Sequence, residues 1–299
     1  MQRWTCLGYG LMCILAWLGS AGGSRAWADE PGKPAVRQYQ YRIVASYPHD
    51  RRAFTQGLVY ENGLIYEGTG LYGQSTLARR DLKTGKALKT IYLPRGDFGE
   101  GIAIVPDPNN RWGGDRIVQL TWRNRKGYVY KKDTFTLLKE FTYPTEGWGI
   151  TYDGARLIYS DGTATLRFLD PNTLAVTGRI EVRNQGRLVR DLNELEYIPG
   201  QSVGDEAGGS RLEAGGAGGL IFANVWPTDE IVVIDPRTGQ VTGRLDMSAL
   251  YPRPEDSEDV LNGIAWIPET GHLLVTGKLW PKIYEIELTI PGSTNRSQR

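Results

Sequence analysis

Glu230-Ile231-Val232-Val233-Ile234-Asp235-Pro236-Arg237-Thr238-Gly239-Gln240-Val241-Thr242-Gly243-Arg244-Leu245 reads as an apolar strand, a turn and a returning strand. Asp235 can accept local amide bonds, Pro236 presets its own φ, and Gly239 permits a positive φ before the chain turns back, so the segment is a β-hairpin. The same phrase recurs upstream. It appears from Ser75 to Leu93 around Asp81-Leu82-Lys83-Thr84-Gly85, from Gly127 to Phe141 around Lys132-Asp133-Thr134, and from Leu166 to Val182 around Asp170-Pro171-Asn172-Thr173. A fifth copy, Lys282 to Leu288, is cut short. Another strand pair precedes the hairpin, as in Gly57–Tyr60 with Leu64–Glu67 or Gly149–Tyr152 with Leu157–Tyr159. Four strands per repeat of about 40 to 50 residues indicate propeller blades. The expected fold is therefore all-β, a five-bladed β-propeller with four-stranded antiparallel blades. The N-terminal strand Tyr39–Val44 is expected to complete the last blade, removing an exposed edge. No run combines helical periodicity with end signals, which argues against an α/β enzyme.

The ends of the chain set its expected compartment. Arg3, an apolar run from Cys6 to Leu18 and the small-residue site Ala26-Trp27-Ala28 fit a secretory signal over 1–28, with residues 29–299 as a single domain. The apolar run is shorter than the ~20 residues of a spanning helix. After cleavage the expectation is a periplasmic or secreted protein with no membrane association and no thiol, since Cys6 and Cys13 both fall within the signal, and Gly10-Leu11-Met12 before Cys13 lack the small residue that precedes a lipid-anchored cysteine. A monomer is expected. With 35 basic and 34 acidic side chains, the formal charge of +1 provides no general field for nucleic acid. The Gly/Ser/Ala-rich stretch 199–219 reads as a flexible insertion, and Pro106–Asp115 as an elaborated turn.

Phe98-Gly99-Glu100-Gly101-Ile102 places one carboxylate between two glycines at a strand end. The glycines would let a ligand approach Glu100 closely, making it the candidate catalyst. A β-bulge in which Glu100 merely bonds neighbouring amides is the plainer alternative. Related positions in successive repeats carry Gln56, Trp148, Asn193 and Asn262, so these groups could converge on the propeller axis. Trp122, Trp226 and Trp280 form a second set in shared register; singly, each reads as core packing. His49 and His272 alone cannot make a zinc triad, and no nucleophile elbow or Walker loop is present. Asp191, Glu194 and Glu196 could bind a hard cation, although a charged strand edge is the commoner reading.

Nine motifs appear in order: Phe54-Thr55-Gln56-Gly57-Leu58, Gly70-Leu71-Tyr72-Gly73-Gln74-Ser75, Phe98-Gly99-Glu100-Gly101, Leu120-Thr121-Trp122, Gly147-Trp148-Gly149, Leu192-Asn193-Glu194-Leu195-Glu196, Asn224-Val225-Trp226, Leu261-Asn262-Gly263-Ile264-Ala265 and Thr276-Gly277-Lys278-Leu279-Trp280-Pro281. This series resembles the glutamine cyclotransferase family of plant and bacterial type from about Tyr41 to Leu288. The resemblance implies a five-bladed propeller that converts N-terminal glutamine of peptides or proteins to pyroglutamate and releases ammonia. It implies Glu100 as the catalytic acid/base, with Gln56, Asn193 and Lys278 as polar substrate-binding groups. Phe54, Phe98, Trp122, Trp148 and Trp226 would be the site aromatics, while Asn262 and Trp280 would be supporting or structural groups. It implies no required cofactor and no catalytic metal, and admits a structural calcium in the central channel. The two insertions depart from the family pattern and could reshape the channel mouth. Two rival readings remain at the level of sequence: a non-catalytic propeller that binds peptide or sugar through aromatics, and a metal-dependent propeller lactonase.

Overall fold

The alternation of apolar and polar residues becomes 22 strands in the computed structural model, which describes residues 35–200, 218–252 and 257–289. The expected signal segment and most of the 199–219 insertion lie outside the described residues. β1 (Arg37–Pro48) precedes a sheet of β2 (Thr55–Glu61), β3 (Leu64–Thr69), β4 (Thr76–Asp81) and β5 (Ala87–Tyr92). A second sheet holds β6 (Gly99–Val105), β7 (Arg116–Thr121), β8 (Lys126–Lys131) and β9 (Leu137–Thr142). A third holds β10 (Ile150–Tyr152), β11 (Leu157–Tyr159), β12 (Thr165–Leu169) and β13 (Val176–Glu181). A small hairpin, β14 (Arg183–Asn184) with β15 (Arg187–Leu188), leads to β16 (Leu192–Ile198), β17 (Leu220–Val225), β18 (Glu230–Ile234) and β19 (Val241–Asp246). The last strands are β20 (Leu261–Ile267), β21 (His272–Gly277) and β22 (Lys282–Thr289).

Consecutive strands pair antiparallel in each run, as the hairpin turns require. The expected N-terminal closure is present: β1 pairs antiparallel with β22, from Gln40 opposite Thr289 to Pro48 opposite Lys282. Its first residues also run parallel to β19, joining the last two runs into one eight-stranded sheet. The turns have the chemistry their sequences suggest. Asp81 Oδ1 accepts bonds from the Thr84 amide and hydroxyl, and Gly85 adopts φ 69°. Where glycine is missing, Phe135 and Leu174 take the positive φ instead.

The first strands make a closed circuit, with β2 beside β6, β6 beside β10, β10 beside β16, β16 beside β20, and β20 beside β2. Five apolar clusters fill the spaces between neighbouring sheets; Tyr66, Leu77, Ile102, Ile117 and Tyr128 form part of one. Burying each such large side chain contributes about 1.5–3 kcal/mol before entropy is counted. Among the described residues there is no helix, and none long and apolar enough to cross a membrane.

Candidate functional site

The predicted polar residues collect where the first strands begin. Gln56 lies at the second residue of β2, Glu100 of β6, Asn193 of β16 and Asn262 of β20, while Trp148 stands just before β10. The antiparallel register slips at each of the four strands: between Thr55 and Gly57, Gly99 and Ile102, Leu192 and Leu195, and Leu261 and Ile264. Each polar residue therefore occupies a β-bulge, which turns its side chain out of the regular pleat. Both sequence alternatives for Glu100 meet here. The bulge exists, yet among the described residues no donor reaches the Glu100 carboxyl, so neighbouring amides do not consume it.

The flanking glycines have a different purpose from the one read in the sequence. A Cβ on Gly101 would stand 2.7 Å from the Ile150 nitrogen and the Trp148 oxygen. One on Gly57 would stand 2.5 Å from the Ile102 nitrogen, and Gly149 has no room beside Asn193 and Glu194. These glycines let adjacent first strands approach each other around the circuit; they do not open a path for a ligand to Glu100.

Glu100 is only 4 % exposed and Lys278 5 %. Burial pushes the Glu100 carboxyl well above the usual carboxylate range, against the pull of the Lys278 ammonium, and the nearby Glu146 carboxylate adds to the rise. Burial lowers Lys278 to about 8, although the Glu100 and Glu258 carboxylates favour its charge. These two groups sense each other's charge without ion-pair contact. The Lys278 ammonium instead stands over the Phe54 ring, 4.8 Å from its centroid.

Gln56 Oε1 accepts a 2.9 Å bond from Asn262 Nδ2, whose second bond goes to the Thr55 carbonyl. Asn262 thus supports Gln56 and leaves the Gln56 amide N–H group as its available donor. Asn193 is buried with no partner for its side-chain oxygen among the described residues, while its backbone carbonyl accepts from Ser160 Oγ at 2.6 Å.

The aromatics form two groups. Phe98 meets Phe54 at 6.1 Å and Trp122 at 5.4 Å between ring centroids, while Trp148 meets Trp226 edge-on at 6.0 Å. Glu146 joins them: its Oε2 accepts the indole N–H of Trp122 at 2.7 Å and of Trp148 at 3.2 Å. Glu146 is absent from the residues that the sequence pattern points to; the signal for it is an acid two positions before a site tryptophan. Tyr72, 50 % exposed and 5.4 Å from Phe98, was also missed, although its Gly-Leu-Tyr-Gly motif was visible. Trp226 lies at the rim, 42 % exposed. Trp280 departs from the second tryptophan set. It is buried in the apolar core against Tyr251 and Tyr284, and its indole donates to the Asp259 carbonyl.

Glu194 and Glu196 are not a charged strand edge. Glu194 accepts amide bonds from Leu58 and Ile264, and Glu196 from Trp266. Burial raises both carboxyls, Glu196 to about 8. They tie β16 to neighbouring sheets, and the described residues contain no group of three histidine, cysteine or acidic side chains fit to hold a metal. The Pro106–Asp115 loop follows β6, whereas Glu100 lies near its start, roughly 20 Å of strand away. It walls a separate cleft of about 220 Å3 with Tyr152, Pro171 and Asn172. This loop therefore does not reshape the opening beside Glu100.

The family model for glutamine cyclotransferase matches residues 14–288. The chain is 39 % identical over 272 residues to the glutaminyl-peptide cyclotransferase of Arabidopsis thaliana, covering 88 % of this chain and 77 % of that protein. The crystal structure of Myxococcus xanthus glutaminyl cyclase matches with a TM-score of 0.70 and 32 % identity, covering 86 % of this chain and 99 % of that one. By the extent of these matches and the order of its motifs, this chain belongs to the glutamine cyclotransferase family.

Proposed function

We propose that this protein is a glutaminyl-peptide cyclotransferase built as a five-bladed β-propeller, with each blade's first strand facing the axis. The observation that carries the activity is Glu100: a buried carboxyl without a donor among the described residues, within the field of Lys278. The substrate class is a peptide or protein beginning with glutamine. Export of residues 29–299 as one periplasmic or secreted, monomeric domain, after loss of 1–28, belongs to the same proposal.

The free α-amine attacks its own γ-carboxamide carbon. Ionised Glu100 takes a proton from the attacking nitrogen as the C–N bond forms. The Gln56 amide and Lys278 ammonium stabilise negative charge growing on the carboxamide oxygen. Protonated Glu100 then gives a proton to the original amide nitrogen; that C–N bond breaks and ammonia leaves, with the carbonyl restored in the five-membered lactam. A single carboxyl serves both transfers because both nitrogens are bound to the same carbon. The aromatic side chains hold the glutaminyl side chain folded and exclude water, so the internal amine competes against hydrolysis. No step is assigned to a metal.

Ammonia release from a short peptide beginning with glutamine, measured with and without chelator, tests this reading. The expected result is chelator-resistant release by wild type and a fall of about 10²–10⁴-fold in kcat for Glu100→Gln, with its fold retained by circular dichroism. No release by folded wild type would leave a non-catalytic binding propeller; wild-type rates in folded Glu100→Gln would remove Glu100 from catalysis.

A further inference from the structure

The turn that presents Lys278 is tied to the first sheet by a side chain outside the proposed chemistry. His49 Nε2 lies 2.7 Å from Glu67 Oε1, and His49 Nδ1 lies 2.7 Å from the Trp280 carbonyl oxygen. A carbonyl can only accept, so Nδ1 carries a proton. Glu67 also accepts from Thr55 Oγ1 at 2.8 Å and from Arg80 Nε at 3.2 Å. Burial alone would raise the Glu67 carboxyl, but the charges of His49 and Arg80 outweigh it and the net direction is downward. A carboxylate that already receives the Thr55 hydroxyl and the Arg80 guanidinium can only accept, so Nε2 at 2.7 Å carries a proton too. Thr276 Oγ1 donates to the Lys282 carbonyl and is placed to receive a weaker 3.4 Å bond from Nδ1. The ring is therefore an imidazolium, buried with its carboxylate.

Its neighbours make this a mechanical link between two halves of the site. The His49 amide donates to Pro281, and the Leu279 amide donates to Ala53, clasping the Lys278 turn against the segment leading into β2. Leu279 adopts φ 62°, a left-handed conformation that a leucine needs surrounding contacts to maintain. On the other side, Glu67 holds Thr55, the residue before Gln56. Asp50 completes the charge array through Arg80 and Arg52.

We propose that His49 is a positioning residue whose doubly protonated ring fixes the Lys278 turn relative to Gln56 and thereby aims the Lys278 ammonium at the substrate carboxamide. This rests on the cyclotransferase reading for its catalytic consequence, whereas the ring's ionisation does not. Burial alone would lower the His49 pKa; Glu67, its hydrogen bond and the Trp280 carbonyl outweigh that and the opposing charge of Arg80, and the net direction is upward. The stabilisation is fully present below the unfolded value and disappears as pH rises through the higher folded one.

Nitrogen-15 NMR of histidine-labelled protein reads the ring directly, since the chain has two histidines and His272→Gln identifies the other signals. At pH 7 both His49 nitrogens should carry protons; a neutral ring would overturn the clamp. His49→Gln should lower kcat for a glutaminyl peptide about tenfold with little change in KM, because it misplaces a group that acts mainly in the transition state. In a Lys278→Met background the same change should have no further effect on kcat, and an undiminished loss there would sink the positioning role. If His49→Gln does not fold, Glu67→Gln keeps the ring and removes its counter-charge for the same cycle. Absence of turnover in wild type would defeat the cyclotransferase reading, while the NMR result would still decide the clamp.

Discussion

Lys278 is an ammonium whose usefulness depends on its being both buried and charged. Its depressed value of about 8 places loss of that charge close to neutral pH. Lys278→Met should lower kcat by about 10²–10³-fold and remove an alkaline limb near pH 8 from the kcat/KM profile, where groups of the free enzyme titrate. Stopped assays of ammonia release across pH 5–10 check both. Glu146 acts on Glu100 in the opposite sense, raising its pKa through like charge. Glu146→Gln should move the acid limb of kcat/KM to lower pH. Loss of the charged acceptor shared by Trp122 and Trp148 should also raise KM about threefold to tenfold, measurable with the same peptide.

The first strands and their bulges are the elements that make one site from distant segments. β2, β6, β10, β16 and β20 can touch only where side chains are absent at particular crossings. Gly101→Ala would drive a methyl into the backbone at Trp148 and Ile150, an overpacking that should cost about 1–3 kcal/mol. Gly96 has open space around an added Cβ, so Gly96→Ala should stay within about 0.5 kcal/mol. Urea midpoints for the two variants compare a crowded strand crossing with an open connection. The bulges also explain a limit of the sequence pattern: it gave Glu100 two glycine neighbours, but could not distinguish room for a ligand from room for the next strand.

At the scale of the whole molecule, Glu100, Glu194 and Glu196 are carboxyls whose burial raises them above their ordinary values. The folded state binds their protons more tightly than the unfolded chain, so these groups lower stability as pH rises from about 4.5 through their folded values. Lys278 has the reverse sign from about pH 8 to its ordinary value, because the folded state releases that proton earlier. Glu196→Gln should flatten the decline below about pH 8 and stabilise the protein at neutral pH by about 1–3 kcal/mol, allowing for partial relaxation around the buried group. Denaturant titrations of wild type and variant at pH 5, 7 and 8 give the slopes. Hairpins and strand alternation are legible along the chain because Asp81 with Thr84, or β18 with β19, interact over short chain distances, and the ordered family motifs are read directly from residue identity. Tertiary structure decided that Glu100 stays free of amide partners, that Glu146 joins Trp122 to Trp148, that Trp280 belongs to the core, and that His49 reaches across the chain to Trp280. Those outcomes depend on strands brought together around a closed circuit, where burial and the direction of each hydrogen bond replace spacing along the chain.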